Sequence, residues 1–138
     1  MVVDLVVFSD KIYDIVPQPC HIETVASGFE KTEGPVWVAD EQVFFFTDFS
    51  AEKIYQWHDG DGLRVFREKS NRAVGMALDK KGCLIACEGI TRRVTRTEKN
   101  GDITPVATHY EGKRLNSPND VVVKSDGGIY FTDPRSRY

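Results

Sequence analysis

FFFTDF, residues 44–49, returns as IYFTDP at 129–134. The shared Phe-Thr-Asp stands at 46–48 and again at 131–133, 85 residues on. Between the two copies, LIACEG at 84–89 sets Glu88 where they carry Asp48 and Asp133, at steps of 40 and 45 residues. A four-stranded unit recurring about every 40–45 residues is the signature of propeller blades. The turn ahead of each run recurs too, as Ala39-Asp40-Glu41, Lys80-Lys81-Gly82 and Asp126-Gly127. Strand units in a sandwich need not be so alike. The periodicity therefore predicts an all-β fold that is part of a propeller.

Working outward, short apolar and β-branched runs fill each repeat, and no stretch carries a helical period. VWV at 36–38, VFFFT at 43–47, KIYQW at 53–57 and LRVF at 63–66 make a first blade from about Pro35 to Arg67. VGMAL at 74–78, CLIAC at 83–87, RRVTRT at 92–97 and ITPVA at 103–107 make a second from about Ala73 to Thr108. DVVVK at 120–124 and GIYFT at 128–132 open a third at about Pro118, with two strands before Tyr138. Asp59-Gly60-Asp61-Gly62 and Asn100-Gly101 supply tight-turn chemistry between neighbours. CHIETVAS, 20–27, reads as one more strand ahead of the first blade, and residues 1–19 as an N-terminal extension. Residues 20–138 thus hold about two and a half four-stranded blades, whereas closed propellers need at least about four. The sequence reads as part of a larger protein.

Composition excludes several classes. A chain of 138 residues with 41% hydrophobic content has enough apolar material for a core. A net charge of −3 offers no general cationic field for nucleic acid or anionic lipid. Apolar runs such as Val43-Phe44-Phe45-Phe46 are far too short to span a bilayer. MVVDLVVFSDK lacks a basic start and is interrupted by Asp4, which makes a poor signal peptide. Three cysteines is an odd number for a disulfide scaffold. Cys83 and Cys87, four apart on one strand, stand roughly 13 Å apart at ~3.3 Å per residue, beyond the ~7 Å reach of a bridge. Free thiols in a reducing cytoplasm are expected.

KTEGPVW, 31–37, places a carboxylate at the mouth of an apolar run, beside the two residues that constrain a backbone most. Glycine admits close approach, and proline tolerates the first position of a strand. Inner strands line a propeller's channel, so Glu33 at such a mouth points toward the axis. Asn119, ahead of VVVK, stands at the same place in the third blade. A carboxylate and an amide carbonyl are hard oxygen donors that suit Ca²⁺, Mg²⁺ or Mn²⁺. The same residues also fit a solvated turn carboxylate and an Asx turn after Ser117-Pro118.

Other features carry less. Asn116 and Asp120 flank Asn119 and are placed to bond substrate or the ligands. Asp48, Glu88 and Asp133 recur in every blade, which favours a shared structural role such as accepting backbone N–H groups. RRVTR, 92–96, reads as a solvated outer strand rather than a nucleic-acid patch. His21, His58 and His109 share no metal-ligand spacing and read as surface residues. No Gly-x-Ser-x-Gly elbow or phosphate loop occurs.

TEGPVW at 32–37, CEGITRRVTRTEKNGDIT at 87–104 and YEGKRLNSPNDVVVKSDGGIYFTDP at 110–134 resemble the senescence-marker-protein/gluconolactonase/luciferin-regenerating-enzyme (regucalcin-like) family, in its gluconolactonase branch. The resemblance covers about residues 20–138 and implies the N-terminal half of a six-bladed propeller. It implies a channel-bound divalent metal, calcium first with magnesium, manganese or zinc as alternatives, assisting hydrolysis of sugar lactones or related esters. By the same resemblance Glu33 and Asn119 are the first two metal ligands. A second Asn, and an Asp that doubles as general base, fall beyond Tyr138, so no catalytic base is assigned within the chain. Gluconolactonase-like chains often carry Ala-Asn-Gly where this chain has Ala73-Val74-Gly75, so the resemblance implies that a channel-side amide is missing here. The alternative reading is a non-catalytic propeller fragment serving assembly or metal and sugar binding. Either way self-association through open propeller edges is expected.

Overall fold

The computed structural model describes residues 6–16, 18, 20 and 22–135, so His21 and the closing residues 136–138 lie outside the described part. The first sheet is an antiparallel meander of β1 (Thr32–Val38), β2 (Val43–Asp48), β3 (Lys53–His58) and β4 (Gly62–Arg67). The second repeats it with β5 (Ala73–Leu78), β6 (Leu84–Glu88), β7 (Arg93–Thr97) and β8 (Ile103–Ala107). A two-residue-per-strand hairpin follows, β9 (His109–Tyr110) with β10 (Lys113–Arg114), and then β11 (Val121–Val123) pairs with β12 (Ile129–Phe131). The chain is all-β: two complete propeller blades and the start of a third.

The burial of β6 shows how the blades stack. All five residues of LIACE are buried. Successive strand side chains point to opposite faces. Leu84 and Ala86 accordingly join Phe45, Ile54, Ala73 and Met76 in a core between the first and second blades. Ile85 and Cys87 join Val94 and Val121 in a core between the second and third. A strand covered on both faces loses its polar alternation, which is why this run reads as continuously apolar. Fully burying Ile54 or Ile85 stabilises the stack by about 1.5–3 kcal/mol each.

Several expectations are corrected. CHIETVAS forms no strand over its described residues. The segment instead delivers Phe29, whose ring meets Phe46 edge-on at 4.9 Å and Tyr55 at 5.1 Å. Side-chain packing, rather than a backbone ladder, is what these contacts supply on the outward face of the first blade. RRVTRT is not a solvated outer strand: β7 is third of four, with Val94, Thr95 and Thr97 buried. Its arginines are tolerated because Arg93 pairs with Glu88 and Arg96 with Glu98, both at 2.8 Å. A 3₁₀ turn over Asp10–Asp14, capped by Ser9, lies in the N-terminal extension. All three cysteines are free thiols.

Candidate functional site

The inner strands share one irregularity. Glu33 opposes Thr47 and Val36 opposes Phe45, so one extra residue stands between them in β1. Ala73 opposes Glu88 and Met76 opposes Ala86, which puts one extra residue at the same level of β5. Such bulges bend a strand and re-aim its side chains. Aligning the blades on Thr47, Cys87 and Thr132 places Glu33, Val74 and Asn119 at one equivalent position. In the third blade the Asn119 N–H donates to the Thr132 carbonyl at 3.0 Å, and the Thr132 N–H to Asp120 at 2.9 Å.

Glycine lets these three mouths meet. A Cβ on Gly34, whose φ is +53°, would lie 2.1 Å from the Val74 carbonyl oxygen. On Gly75 it would lie 2.4 Å from Asp120 Oδ1 and 2.7 Å from the Asn119 carbonyl oxygen. No side chain fits at either place. The Gly75 N–H donates to that same carbonyl at 2.7 Å. The backbones therefore run in contact from the Glu33 mouth, past Val74, to Asn119.

Glu33 is half-buried and ion-paired with Lys31 at 3.3 Å. Asn119 is exposed, and its side chain makes no hydrogen bond among the described residues. Both offer an accessible oxygen, so the donor chemistry fits a hard divalent cation. Two oxygens are part of the six to eight ligands that calcium takes. Among the described residues no cluster of three or more His, Cys, Asp or Glu side chains is arranged for a metal. Asp120 is exposed, and its Oδ1 accepts from the Val121 N–H at 2.9 Å. Asn116 is committed elsewhere: its Nδ2 donates to Asp133 Oδ2 at 3.1 Å. His58 accepts from the Gly60 N–H at 3.1 Å, and His109 is exposed.

The repeated carboxylates gather hydrogen-bond donors at the ends of the second strands. Asp48 accepts from the N–H groups of Glu30, Lys31, Ser50 and Ala51 at 3.0–3.3 Å. Burial raises its pKa, but these four bonds outweigh burial and hold it below the ordinary value. Asp133 takes the N–H groups of Asn116 and Ser117 at 2.8 Å. Glu88, one methylene longer, reaches side chains instead, accepting from Arg67, Asn71, Thr91, Arg93 and Thr95. Arg67 belongs to the first blade, so this buried knot ties two blades together. Cys87, beside it on β6, is inert: burial first, and then the charges of Asp120 and Asp133, push its thiol up to about 12.

Sequence reasoning anticipated close approach at Gly34 but found neither the Arg67–Glu88 pair nor the Gly75 contact. The one available signal was that Gly34 and Gly75 each stand directly after the position in question.

Comparison with known proteins agrees with this architecture. The gluconolactonase of Zymomonas mobilis subsp. mobilis is 30% identical over 141 residues, spanning 92% of this chain and 40% of that protein. A gluconolactonase structure from Xanthomonas campestris superposes with a TM-score of 0.77 at 32% identity, over 80% of this chain and 37% of that one. A streptogramin B lyase shares the fold alone, with a TM-score of 0.62 at 18% identity over 74% and 34% of the two chains. The chain thus spans about two-fifths of the length of the gluconolactonases it matches. The family described as the SMP-30/Gluconolactonase/LRE-like region matches residues 31–137, and the chain belongs to that family.

Proposed function

We propose that this chain carries part of the metal and substrate site of a sugar-lactone or related ester hydrolase. One observation carries the reading: Glu33 and Asn119 occupy equivalent positions at the mouths of two inner strands, each with an accessible hard oxygen. The names of the two gluconolactonases supply the substrate class. Glu33 and Asn119 would hold the divalent ion, calcium before magnesium, manganese or zinc. Bound there, it would supply a positive charge to polarise a lactone carbonyl and acidify a water. Glu33 must exchange Lys31 for the ion, and Asp120 stands next to Asn119 to meet substrate hydroxyls. Val74 contributes an apolar contact at the third position. The general base and the remaining ligands are assigned to further propeller blades.

The 138-residue chain alone is then expected to bind a divalent cation and to hydrolyse aldonolactones little or not at all. Turnover abolished by a chelator and by Asn119→Ala would overturn this division and mean that two copies complete one site.

A second reading, assembly without catalysis, is favoured by two blade faces that are only partly covered among the described residues. One, of about 240 Å³, is lined by Thr32, Glu33, Pro35, Phe44 and Phe46. The other, of about 190 Å³, is lined by Asp120 to Val122 and by Tyr130 to Thr132. Self-association through these faces is proposed on either reading. Free Cys20, Cys83 and Cys87 support a reducing, cytoplasmic setting. Among the described residues no helix is long and apolar enough to cross a membrane.

A further inference from the structure

We infer a second ligand site, for a small uncharged ring bearing a hydroxyl, in the cleft between the first two blades. It lies at the ends of the strands opposite Glu33, since Val38 and Leu78 close β1 and β5 and Leu84 opens β6. A groove of about 230 Å³ is walled there by Val38, Phe45, Phe66, Leu78 and Leu84. Thr97 pairs with Leu84 across β6 and β7, so both side chains face the first blade. Thr97 also lines the groove. It is only 8% exposed, and its hydroxyl has no hydrogen-bond partner among the described residues. A buried hydroxyl left without a partner is unfavourable, and a ligand carrying a complementary group removes that penalty.

The lining sets the ligand's class. An apolar cavity of about 150 Å³ takes a benzene ring. This groove is larger, with room for a ring and a polar substituent. Gln56, half-buried at its side, has a side-chain amide with no hydrogen bond among the described residues. The rim charges cancel: Lys99 stands 3.9 Å from Glu41, and Glu98 is bonded by Arg96 and Thr104. With no net charge to satisfy, the occupant is a neutral alcohol or phenol. The site is independent of Glu33 and Asn119, and its failure would leave the lactonase reading untouched.

The test is NMR titration of the intact chain with 4-methylphenol and, separately, toluene. The phenol is expected to shift the Thr97, Leu84 and Gln56 resonances saturably. Thr97→Val removes the hydroxyl at nearly constant shape. It should weaken the phenol roughly fivefold while leaving toluene within about twofold. Leu78→Phe fills the groove and should block both probes. Absence of shifts at the groove, with water alone meeting Thr97, overturns the inference. So does equal weakening of both probes in Thr97→Val, or unchanged binding in Leu78→Phe. Should Thr97→Val not fold, Leu78→Phe decides alone.

Discussion

The N–H of Gly75 donates to the carbonyl of Asn119 across 2.7 Å, which fastens the second blade's inner strand to a proposed metal ligand of the third. The contact leaves no room for a side chain, because a Cβ on Gly75 would meet Asp120 Cα at 2.6 Å. Gly75→Ala must push Asn119 and Asp120 away. It should cost about 1–3 kcal/mol of stability and also weaken cation binding. Urea unfolding and a calcium titration on one preparation check this. A variant with parental values in both would mean that the blade mouths give way freely.

Glu33 provides the only charge among the three equivalent positions. Glu33→Gln keeps its shape but removes the charge and the Lys31 pairing. Ligand linkage is worth about 2.7 kcal/mol at a hundredfold excess over the dissociation constant. The parent should therefore gain melting temperature with calcium, and Glu33→Gln should gain much less. Val74→Asn adds a third oxygen at the empty position and should increase the gain. Equal calcium-induced shifts in all three proteins would remove Glu33 from the site.

The fold was legible where strand chemistry repeats. Phe46-Thr47-Asp48 and Phe131-Thr132-Asp133 marked the second strands because each packs one face on a neighbouring blade and ends in a carboxylate that takes backbone N–H groups. The equivalence of Glu33 and Asn119 followed from that frame. The β9–β10 hairpin escaped because two residues per strand carry no period. CHIETVAS misled because β-branched composition reports a surface suited to packing, not the presence of a partner strand. Arg67 and Glu88 lie 21 residues apart on different blades, and no local pattern announces such a pair.

That pair predicts the pH dependence of stability. Burial raises the Glu88 pKa, but bonds from Arg93, Thr91 and Arg67 outweigh burial and hold it below the ordinary 4.5. A carboxylate depressed in the folded state adds stability that is complete above its unfolded pKa. That stability is lost as pH falls through the folded value. Denaturation midpoints should thus be level from about pH 7 to 5.5 and fall steeply below about pH 4.5. Glu88→Gln, which leaves Arg67 buried without its charge partner, should lose about 3–5 kcal/mol at pH 7. Its remaining acid slope should be shallower, Asp48 still contributing. An unchanged slope would place the acid sensitivity elsewhere.

The two blade faces left partly open among the described residues predict self-association. Val121 is sealed against the second blade, but Val122 is 62% exposed and Tyr130 58%, side by side in paired register on β11 and β12. On the first blade Trp37 is 49% exposed and pairs across with Phe44, whose ring stacks on Phe46, which Phe29 in turn meets edge-on. Each face is apolar with a charge at one margin, Glu33 on the first and Asp120 on the third. Burial of apolar surface is worth roughly 25 cal/mol per Å², so covering a few hundred Å² outweighs much of the entropy of association. The orderly product is a two-fold dimer in which the first blade of one copy meets the third blade of the other, twice. Light scattering on a size-exclusion column should give twice the chain mass of 15.6 kDa at micromolar concentration. Val122→Lys and Tyr130→Lys, both at exposed positions, should return the mass to that of one chain without unfolding it. A parent that elutes as a stable 15.6 kDa species would refute the association.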